Sequence, residues 1–329
     1  MKHPSRRGLI AAAAAAALPL ARSRPARAAA WPDKPVRLVV PFTPGGSTDI
    51  LGRAMAQGLS EHFGQTFIID NRAGAGGSVG SEMVVRAAPD GYTLMMGHIG
   101  TLAVNPAIYP NLPFDTVTAF QPIILVAKVA NILAVNPRVA DVADAGGLIA
   151  LARRRPGELT FGSGGNGSAA HIAGVALQLA TGIQLTHVPY RGTGPMMTDL
   201  MAGQIAMTMT GGPPILPPVR AGSLRAIGVS SLQRLTSEPG IPTLDEQGLR
   251  GFEAVQWYGL VGPAGMPREI VDRLNAAGAA ILREPLLQSR LAAEGADAAP
   301  GTPESFGDFI RTERDRWGEV IRRAGVRAD

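Results

Sequence analysis

Two segments of the sequence combine a β-rich run, a glycine-rich loop and a helix start in the same order. The first runs from Val36 through the loop 41–49 into a helix, and the second runs from Leu159 through the loop 162–168 into a helix at Ala169. A helix start leaves backbone N–H groups without an acceptor upstream, and the helix dipole adds a partial positive charge there. Each unit therefore favours a carboxylate or phosphate at its loop. The pair predicts two lobes that close on one small acid.

Short β-rich runs alternate with helical patterns through the remainder of the chain, which is typical of parallel sheets with crossover helices. The predicted strands are 36–40, 67–69, 92–96, 159–161, 185–188, 205–210 and 224–229, and the predicted helices are 50–63, 143–154, 169–180, 195–201 and 215–220. The extended runs 120–135 and 255–261 are expected to cross between the lobes, and two helices are expected to end the chain. The pattern predicts an α/β fold. Its lobe 1 comprises residues 31–129 plus 255–329, and its lobe 2 comprises residues 130–254.

The first thirty residues have the pattern of a secretory signal peptide. A basic start (Lys2, Arg6 and Arg7) precedes the apolar run 9–21, and small residues at 28–30 offer a cleavage site. The apolar run is too short to span a bilayer, which takes about 20 residues. The paired arginines leave ordinary and twin-arginine export both open. We expect a periplasmic protein that does not span the membrane once the signal is removed.

Charge and cysteine content exclude several classes of protein. The signal holds six of the 31 basic residues and none of the 26 acidic ones, which leaves 25 against 26 and a net charge of −1. No basic run interleaved with aromatic residues follows, so a nucleic-acid surface is not supported. The chain has no cysteine, which excludes a disulfide-stapled fold and a thiolate metal site.

The spacing Gly162-x-Gly164-x-x-Gly167 matches the dinucleotide-binding fingerprint between a strand and a helix. The acidic residue that would hold the ribose is missing, because no Asp or Glu occurs between Glu158 and Asp199. An organic-anion site is therefore favoured, while a nucleotide site and a purely structural turn stay open. No cofactor is predicted.

The segment Gly76-Gly77-Ser78-Val79-Gly80 matches the nucleophile elbow of serine hydrolases. In that elbow the strand runs directly into the serine, whereas here a loop, 71–75, intervenes. Asp144, His171 and His187 are candidate partners of Ser78. Glycines that permit a tight helix entry are the favoured interpretation, and a secreted hydrolase is the alternative.

Other polar and aromatic candidates have less specific patterns. Asp49 either caps its helix or pins the loop or meets the ligand, and Arg191 is slightly favoured as a solvated turn residue over a carboxylate clamp. His98 and the other histidines lack the spacing of metal ligands, so no metal site is predicted. Trp257 and Tyr258 are expected to pack at the crossing between the lobes.

Five sequence segments, taken in their order along the chain, resemble those of the Bug-type extracytoplasmic receptors of tripartite tricarboxylate transporters. They are residues 41–49 (PFTPGGSTD), 71–77 (NRAGAGG), 89–94 (PDGYTL), 162–171 (GSGGNGSAAH) and 187–192 (HVPYRG). The resemblance runs from Trp31 nearly to the C-terminus. It implies a type II periplasmic-binding-protein fold, with two α/β lobes, two crossings between them, and a small carboxylate enclosed in the cleft. It also implies delivery of that ligand to the membrane permease subunits of the transporter.

The resemblance implies ligand-binding roles for twelve residues, which stand at the positions of this sequence that match the family's segments. They are Phe42, Thr43, Gly45, Gly46, Ser47, Asp49 and His98 in lobe 1, and Ser163, Gly165, Asn166, Gly167 and Ser168 in lobe 2. The family often has acids in the strand 204–210, where this sequence has Ala206 and Thr210. The expected cleft is therefore less negative than usual. A receptor that serves a signalling partner instead of a permease is a further alternative.

Overall fold

The computed structural model describes residues 31–109, 111–293 and 295–326. The predicted export signal, 1–30, lies outside these residues. The described strands are β1 (Val36–Val40), β2 (Phe67–Asn71), β3 (Thr93–His98), β4 (Phe120–Val129), β5 (Ile132–Val135), β6 (Thr160–Ser163), β7 (Thr186–Pro189), β8 (Met207–Thr210), β9 (Arg225–Val229), β10 (Gln256–Pro263) and β11 (Ala296–Ala298).

The described α-helices lie between these strands and at the C-terminal end of the chain. They are α1 (Ser47–Phe63), α2 (Ser78–Val85), α3 (Asn105–Ile108), α4 (Ala145–Arg154), α5 (Ala169–Thr181), α6 (Thr193–Ala202), α7 (Gly212–Arg220), α8 (Arg268–Ile281), α9 (Pro285–Ala293) and α10 (Pro303–Ala324). A 3₁₀ turn (Ala75–Gly77) precedes α2 and a π-helical turn (Gly100–Val104) precedes α3. None of the helices in the described part of the chain is both long and apolar enough to cross a membrane.

The strands form two sheets. The six-stranded sheet has the order β11-β4-β10-β3-β1-β2, and the five-stranded sheet has the order β7-β6-β8-β5-β9. Strands β1, β2 and β3 pair in parallel, as do β6, β7 and β8, and each sheet also includes antiparallel strands. The loops that follow the parallel strands lie at their carboxyl ends, which is where ligands bind in α/β sheets.

Buried apolar side chains explain why the strands form where they do. Four of the five residues of β1 are fully buried, namely Val36, Leu38, Val39 and Val40. A strand that is apolar on both faces belongs in the interior of a sheet covered by helices. Helix α1 covers one face with buried side chains that include Leu51 and Met55. This packing fixes the strand end and the helix start that flank the loop between β1 and α1.

The chain crosses between the sheets twice, as predicted for the runs 120–135 and 255–261. It leaves the six-stranded sheet at Val129 and enters the other at Ile132, and it returns after β9 at Gln256. The exact lobe boundaries at 129/130 and 254/255 stay a prediction.

Hydrogen bonds join the two crossings at Asn131. Its N–H donates to Ser230 Oγ (2.9 Å) and its Nδ2 donates to Ala254 O (2.6 Å). Gln256 Nε2 donates to Asn131 Oδ1 (2.7 Å). All of these groups are buried, so each bond satisfies a polar atom that water does not reach. The network fixes the geometry at which the two lobes are joined.

The C-terminal region differs from the expectation of two final helices. Three helices (α8, α9 and α10) and the short strand β11 end the described chain. Pro285 begins α9 as a separate helix because proline has no N–H with which to continue the preceding helix. Strand β11 then pairs with β4 and adds an edge to the six-stranded sheet.

A buried carboxylate attaches the last helix to the crossing strand. Glu313 Oε2 accepts from Trp257 Nε1 (2.8 Å) and from Trp317 Nε1 (3.0 Å), and Glu313 Oε1 lies 3.2 Å from Arg316 Nη1. Glu313→Gln keeps the size of the side chain but turns an amide N–H₂ toward either the indoles or Arg316. We expect a loss of about 1.5 kcal/mol of unfolding free energy, the usual size for a hydrogen bond to a charged group, measured by urea titration. Glu319→Gln, at an exposed position of the same helix, is the matched control. Equal stability of the two variants would show that this carboxylate does not matter to the fold.

Candidate functional site

Four helices begin at one cavity between the two lobes. The cavity has a volume of about 60 Å³. Its wall combines the loop after β1, the end of β3, the loops after β6, β7 and β8, and the crossing strand β10. The lining residues are Phe42, Thr43, Gly46, Ser47, Thr48, His98, Gly164, Ser168, Ala169, Ala170, Gly192, Thr193, Thr210, Pro214, Gln256 and Tyr258.

Glycine precedes three of these four helices. Gly46, Gly192 and Gly211 are the N-cap residues of α1, α6 and α7, and they have no side chain to accept from the first-turn N–H groups. Helix α5 has a side-chain cap, because Ser168 Oγ accepts from the His171 N–H (3.4 Å). In α1 the Asp49 N–H already donates to Gly46 O (2.9 Å), and the third residue of α6 is Pro195, which has no N–H. The first two N–H groups of each of these helices are therefore left for a ligand. Helix α7 adds mainly its dipole, since the second and third residues of its first turn are prolines.

The cavity wall is rich in hydroxyl groups. Thr48 and Thr210 are only 6% and 8% exposed. Neither hydroxyl has a hydrogen-bond partner among the described residues, and both residues line the cavity. A ligand in the cavity can therefore form hydrogen bonds with both hydroxyls. The lining residues include no Asp, Glu, Lys or Arg.

His98 is a neutral part of this wall. Its Nδ1 accepts from the Gly100 N–H (2.9 Å), which places the ring proton on Nε2. Burial lowers the pKa of His98 to about 3, against the opposing effect of a hydrogen bond to the Gln256 side chain. Gln256 Oε1 also accepts from the Tyr258 hydroxyl. His98 therefore contributes a fixed dipole instead of a charge, and it connects the cavity to the network at Asn131.

Asp49 shapes the first-lobe loop. Its Oδ2 accepts from the Gly45 N–H (3.0 Å) and from Arg53 Nε (2.9 Å), and its Oδ1 accepts from Asn71 Nδ2 (3.0 Å). Burial alone would raise the pKa of Asp49, but these hydrogen bonds from Arg53, Asn71 and Gly45 lower it. The carboxylate is ionised and fully engaged with the protein. Of the interpretations left open by the sequence, its contacts support pinning of the loop.

Two stacked histidines support the second-lobe loop. The rings of His171 and His187 are 4.0 Å apart and inclined by 10°. His171 Nδ1 accepts from the Gly167 N–H (3.1 Å), and His187 Nε2 lies 2.6 Å from Ser163 Oγ. Burial lowers the pKa of His171 to about 4; burial and the neighbouring His171 lower the pKa of His187 to about 3. The loop between β6 and α5 is thus held by neutral imidazoles.

Close approaches of glycine backbone to the opposite lobe flank the cavity. A Cβ atom added at Gly100 would lie 2.4 Å from Gly167 O, and one added at Gly192 would lie 2.3 Å from Thr43 Oγ1. A Cβ atom at Gly211 would lie 2.9 Å from Ser47 Oγ. Each pair joins one lobe to the other, so the two lobes are in contact around the cavity.

The cavity wall includes half of the twelve residues predicted to bind the ligand. Those that line it are Phe42, Thr43, Gly46, Ser47, His98 and Ser168. Those that do not are Gly45, Asp49, Ser163, Gly165, Asn166 and Gly167. Gly45, Asp49, Ser163, Gly165 and Gly167 of the second group form hydrogen bonds that fix the two loops. The carbonyl of Asn166 lies 3.5 Å from the Tyr109 hydroxyl, across the contact between the lobes.

Sequence reasoning missed part of the second lobe and of the crossing strand. Gly192, Thr193 and Pro214 belong to the starts of α6 and α7. Thr210 was expected only as one of two positions, with Ala206, that could face the cleft. Those helices were expected to begin at 195 and 215, but they begin at 193 and 212. The rule that parallel strands end at a binding site, applied to β7 and β8 as well, would have found these residues.

The aromatic residues of the crossing strand have different roles. Trp257 packs in the core and bonds to Glu313, as expected for a packing residue. Tyr258 packs in the core as expected, and it also lines the cavity. Successive side chains of a strand point to opposite faces, which explains the difference between these neighbours. Arg191 is exposed and does not line the cavity.

The structure does not assemble a hydrolase around Ser78. Asn105 Nδ2 donates to Ser78 Oγ (3.0 Å), and no histidine bonds to this hydroxyl in the described part of the chain. His171 and His187 instead contact Gly167 and Ser163. Among residues 31–109, 111–293 and 295–326, no group of three His, Cys, Asp or Glu side chains could hold a metal ion.

Comparisons with known proteins agree on one family. The profile described as "Tripartite tricarboxylate transporter family receptor" matches residues 51–326. Protein BugT of Bordetella pertussis is 36% identical over 305 residues, which cover 92% of this chain and 93% of BugT.

Solved structures show the same fold. Rpa4515 of R. palustris with adipate has a TM-score of 0.86 and 37% identity, covering 91% of this chain and 100% of that chain. MatC (Rpa3494) from Rhodopseudomonas palustris with bound malate has a TM-score of 0.83 and 30% identity, covering 88% and 100%. The predicted α/β fold with two lobes, of the type II periplasmic-binding-protein kind, is confirmed. The chain belongs to the tripartite tricarboxylate transporter receptor family and is of the Bug type.

Proposed function

We propose that this chain is a periplasmic receptor that encloses a small organic carboxylate between its two lobes and delivers it to the membrane permease of a tripartite transporter. The observation that carries this proposal is the convergence of four helix N-termini and of the Thr48 and Thr210 hydroxyls on one cavity between the lobes. Free N–H groups and positive dipole ends stabilise a carboxylate without a basic side chain. Membership of a receptor family and the adipate and malate bound to its relatives support the choice of ligand.

The ligand contacts divide into two groups. Phe42, Thr43, Gly46, Ser47, His98 and Ser168 would touch the ligand directly, together with Thr48 and Thr210. Gly45, Asp49, Ser163, Gly165, Asn166 and Gly167 would hold the loops in shape. Each N–H or hydroxyl donated to a carboxylate contributes about 1.5–3 kcal/mol before desolvation is subtracted. Contacts from both lobes favour the closed state, and only that differential affinity can shift the equilibrium between open and closed.

Ligand identification tests the receptor function. The protein without residues 1–30 is purified without added ligand, and native mass spectrometry identifies any small molecule that it releases. A panel of organic acids is then tested by thermal shift and by calorimetry. A carboxylic acid that is released or that stabilises the protein supports the proposal. If no acid in the panel binds, the cavity is not a carboxylate site.

Thr48→Val tests the direct contacts. Valine keeps the shape of threonine but removes the hydroxyl that has no partner in the protein. We expect about a tenfold loss of affinity for the best acid of the panel, which corresponds to about 1.4 kcal/mol. The comparison is Asn166→Ala, whose side chain does not line the cavity, and for which we expect at most about a twofold change. A larger effect of Asn166→Ala would reverse the division between direct and supporting residues.

Measurement of acid uptake by cells tests whether the partner of the receptor is a membrane permease. Deletion of the gene should abolish uptake of the identified acid by cells, and the wild-type gene should restore it. Normal uptake in the deletion strain would assign the receptor to a signalling partner instead of a permease.

A further inference from the structure

The side chain of Gln256 lies where the cavity meets the connection between the lobes. Gln256 lines the cavity and is the first residue of β10, directly after the second crossing. Its Nε2 donates to Asn131 Oδ1 (2.7 Å) in the first crossing. A Cβ atom added at Gly211, which precedes α7 in the other lobe, would lie 3.0 Å from the same Nε2. Gln256 is only 4% exposed, so these contacts fix its amide group.

Hydrogen bonds continue from Gln256 in two directions. On the cavity side, Gln256 Oε1 accepts from the Tyr258 hydroxyl, and the His98 ring forms a hydrogen bond with the Gln256 side chain. On the other side, Asn131 Nδ2 donates to Ala254 O (2.6 Å), which joins the first crossing to the second. A side-chain amide accepts at its oxygen and donates at its nitrogen, so these partners allow one orientation of Gln256. The chain of bonds therefore runs without interruption from the cavity wall to both crossings.

Asn131 is not part of the cavity wall. It does not line the cavity, and it is 1% exposed. Tyr258 and His98 do line the cavity, next to Gln256. A ligand that accepts a hydrogen bond from either of them changes the set of bonds at Gln256, and neighbouring bonds in a buried chain strengthen or weaken one another. The ligand therefore has a physical connection to Asn131 through Gln256.

From this arrangement we propose that Gln256 is a positioning residue that couples occupation of the cavity to the geometry of the two crossings, with Asn131 as its partner there. The inference rests on the proposed function and describes the regulation of the same site. Such a coupling is reciprocal, because the ligand and the crossing must change each other's free energy by the same amount. A substitution of Asn131, which the ligand does not touch, must therefore change the affinity for the ligand, and it must do so through Gln256.

A double-mutant cycle tests the coupling. Calorimetry measures the affinity of the protein without residues 1–30 for succinate, malate and adipate, and the acid that binds the parent most tightly is used for the variants. We expect Asn131→Ala to weaken binding about tenfold in the parent, the size of one buried hydrogen bond. In the Gln256→Ala background we expect the same substitution to weaken binding less than about twofold. Losses of similar size in both backgrounds, or no loss in the parent, overturn the coupling and leave the receptor function intact. Absence of binding by all three acids overturns both.

Asn136→Ala is the matched control for a loss of stability. Asn136 is fully buried as well, and its Nδ2 donates to Leu200 O (2.8 Å) and to Met201 O (3.2 Å). These partners belong to α6 and Asn136 follows β5, so the bonds stay within one lobe. We expect Asn136→Ala to destabilise the fold in urea titrations as Asn131→Ala does, but to change the affinity less than about twofold. Equal losses of affinity in these two variants would assign the effect of Asn131→Ala to general destabilisation.

Ser230→Ala keeps the test open if Asn131→Ala does not fold. Ser230 Oγ accepts from the Asn131 N–H (2.9 Å) and donates to Ala254 O (2.9 Å), and Ser230 does not line the cavity. We expect Ser230→Ala to weaken binding about fivefold in the parent and less than about twofold in the Gln256→Ala background. Equal losses in the two backgrounds would contradict the role of Gln256.

Discussion

The free energy of unfolding is expected to fall by about 3 kcal/mol between pH 6.5 and pH 5. Two fully buried histidines, His98 and His171, are responsible for this loss. Burial lowers their pKa values from 6.5 to about 3 and about 4. In this pH range the unfolded chain binds protons at both positions, whereas the folded protein does not.

The direction and size follow from proton linkage. A histidine whose pKa is lowered by folding has no effect well above pH 6.5, and it destabilises the fold progressively as the pH falls toward its folded pKa. Each such group costs about 1.4 kcal/mol per pH unit in that window, and domains are stable by only about 5–15 kcal/mol. His187, which is less buried and stacks on His171, adds to the loss in the same direction. Asp49 affects the stability of the fold only at lower pH. Its lowered pKa stabilises the folded protein, and this contribution is lost as the pH falls below about 4.

Urea titrations at pH 7, 6 and 5, followed by tryptophan fluorescence, measure this loss. His171→Asn keeps an oxygen close to the place of Nδ1, which accepts from the Gly167 N–H, but removes the titrating ring. We expect this variant to lose stability less steeply with falling pH than the parent does. His62→Asn, at an exposed position, controls for the substitution itself. Constant stability from pH 7 to pH 5 would contradict the burial of neutral histidines.

The architecture could be predicted from the sequence because it depends on regular patterns. The apolar run Val36–Val40 and the helical stripe after it determine a strand and a helix by periodicity alone. The loops 41–49 and 162–168 were found because glycine, serine and threonine between a strand and a helix indicate a helix start. These features depend on neighbours in the sequence.

The remainder of the site depends on contacts between distant segments. Thr210 and Gln256 are ordinary strand residues. Strand β8 belongs to the five-stranded sheet and β10 to the six-stranded sheet, and only the way the two sheets are placed brings both residues to the cavity. Asp49 and Asn166 lie in the predicted loops, yet their side chains do not line the cavity. Loop membership was predictable, whereas the direction of each side chain depended on hydrogen bonds such as that from Gly45 to Asp49.

Gly100→Ala is expected to weaken binding of the receptor's acid by about 100-fold without unfolding the protein. The added methyl group would lie 2.4 Å from Gly167 O in the other lobe and 3.0 Å from His98 Nδ1. Overpacking of this kind costs about 1–3 kcal/mol. Because Gly167 belongs to the opposite lobe, the open state escapes that contact, and the cost falls mainly on closure. Apparent affinity falls with the fraction of protein able to close.

Calorimetry gives the affinity, and small-angle X-ray scattering gives the radius of gyration with saturating acid. Gly100→Val should weaken binding and increase the radius of gyration more than Gly100→Ala does, because the side chain of valine is larger. Gly211→Ala, whose methyl would lie 2.9 Å from Ser47 Oγ, should act in the same direction but less, because it meets only side-chain atoms that can move. Gly318→Ala is the control, since a methyl there meets nothing within 4 Å. If Gly100→Ala binds the acid as the parent does and reaches the same compact state, this contact does not limit closure. Such a result would leave the contacts of Gly192 and Gly211 to limit closure.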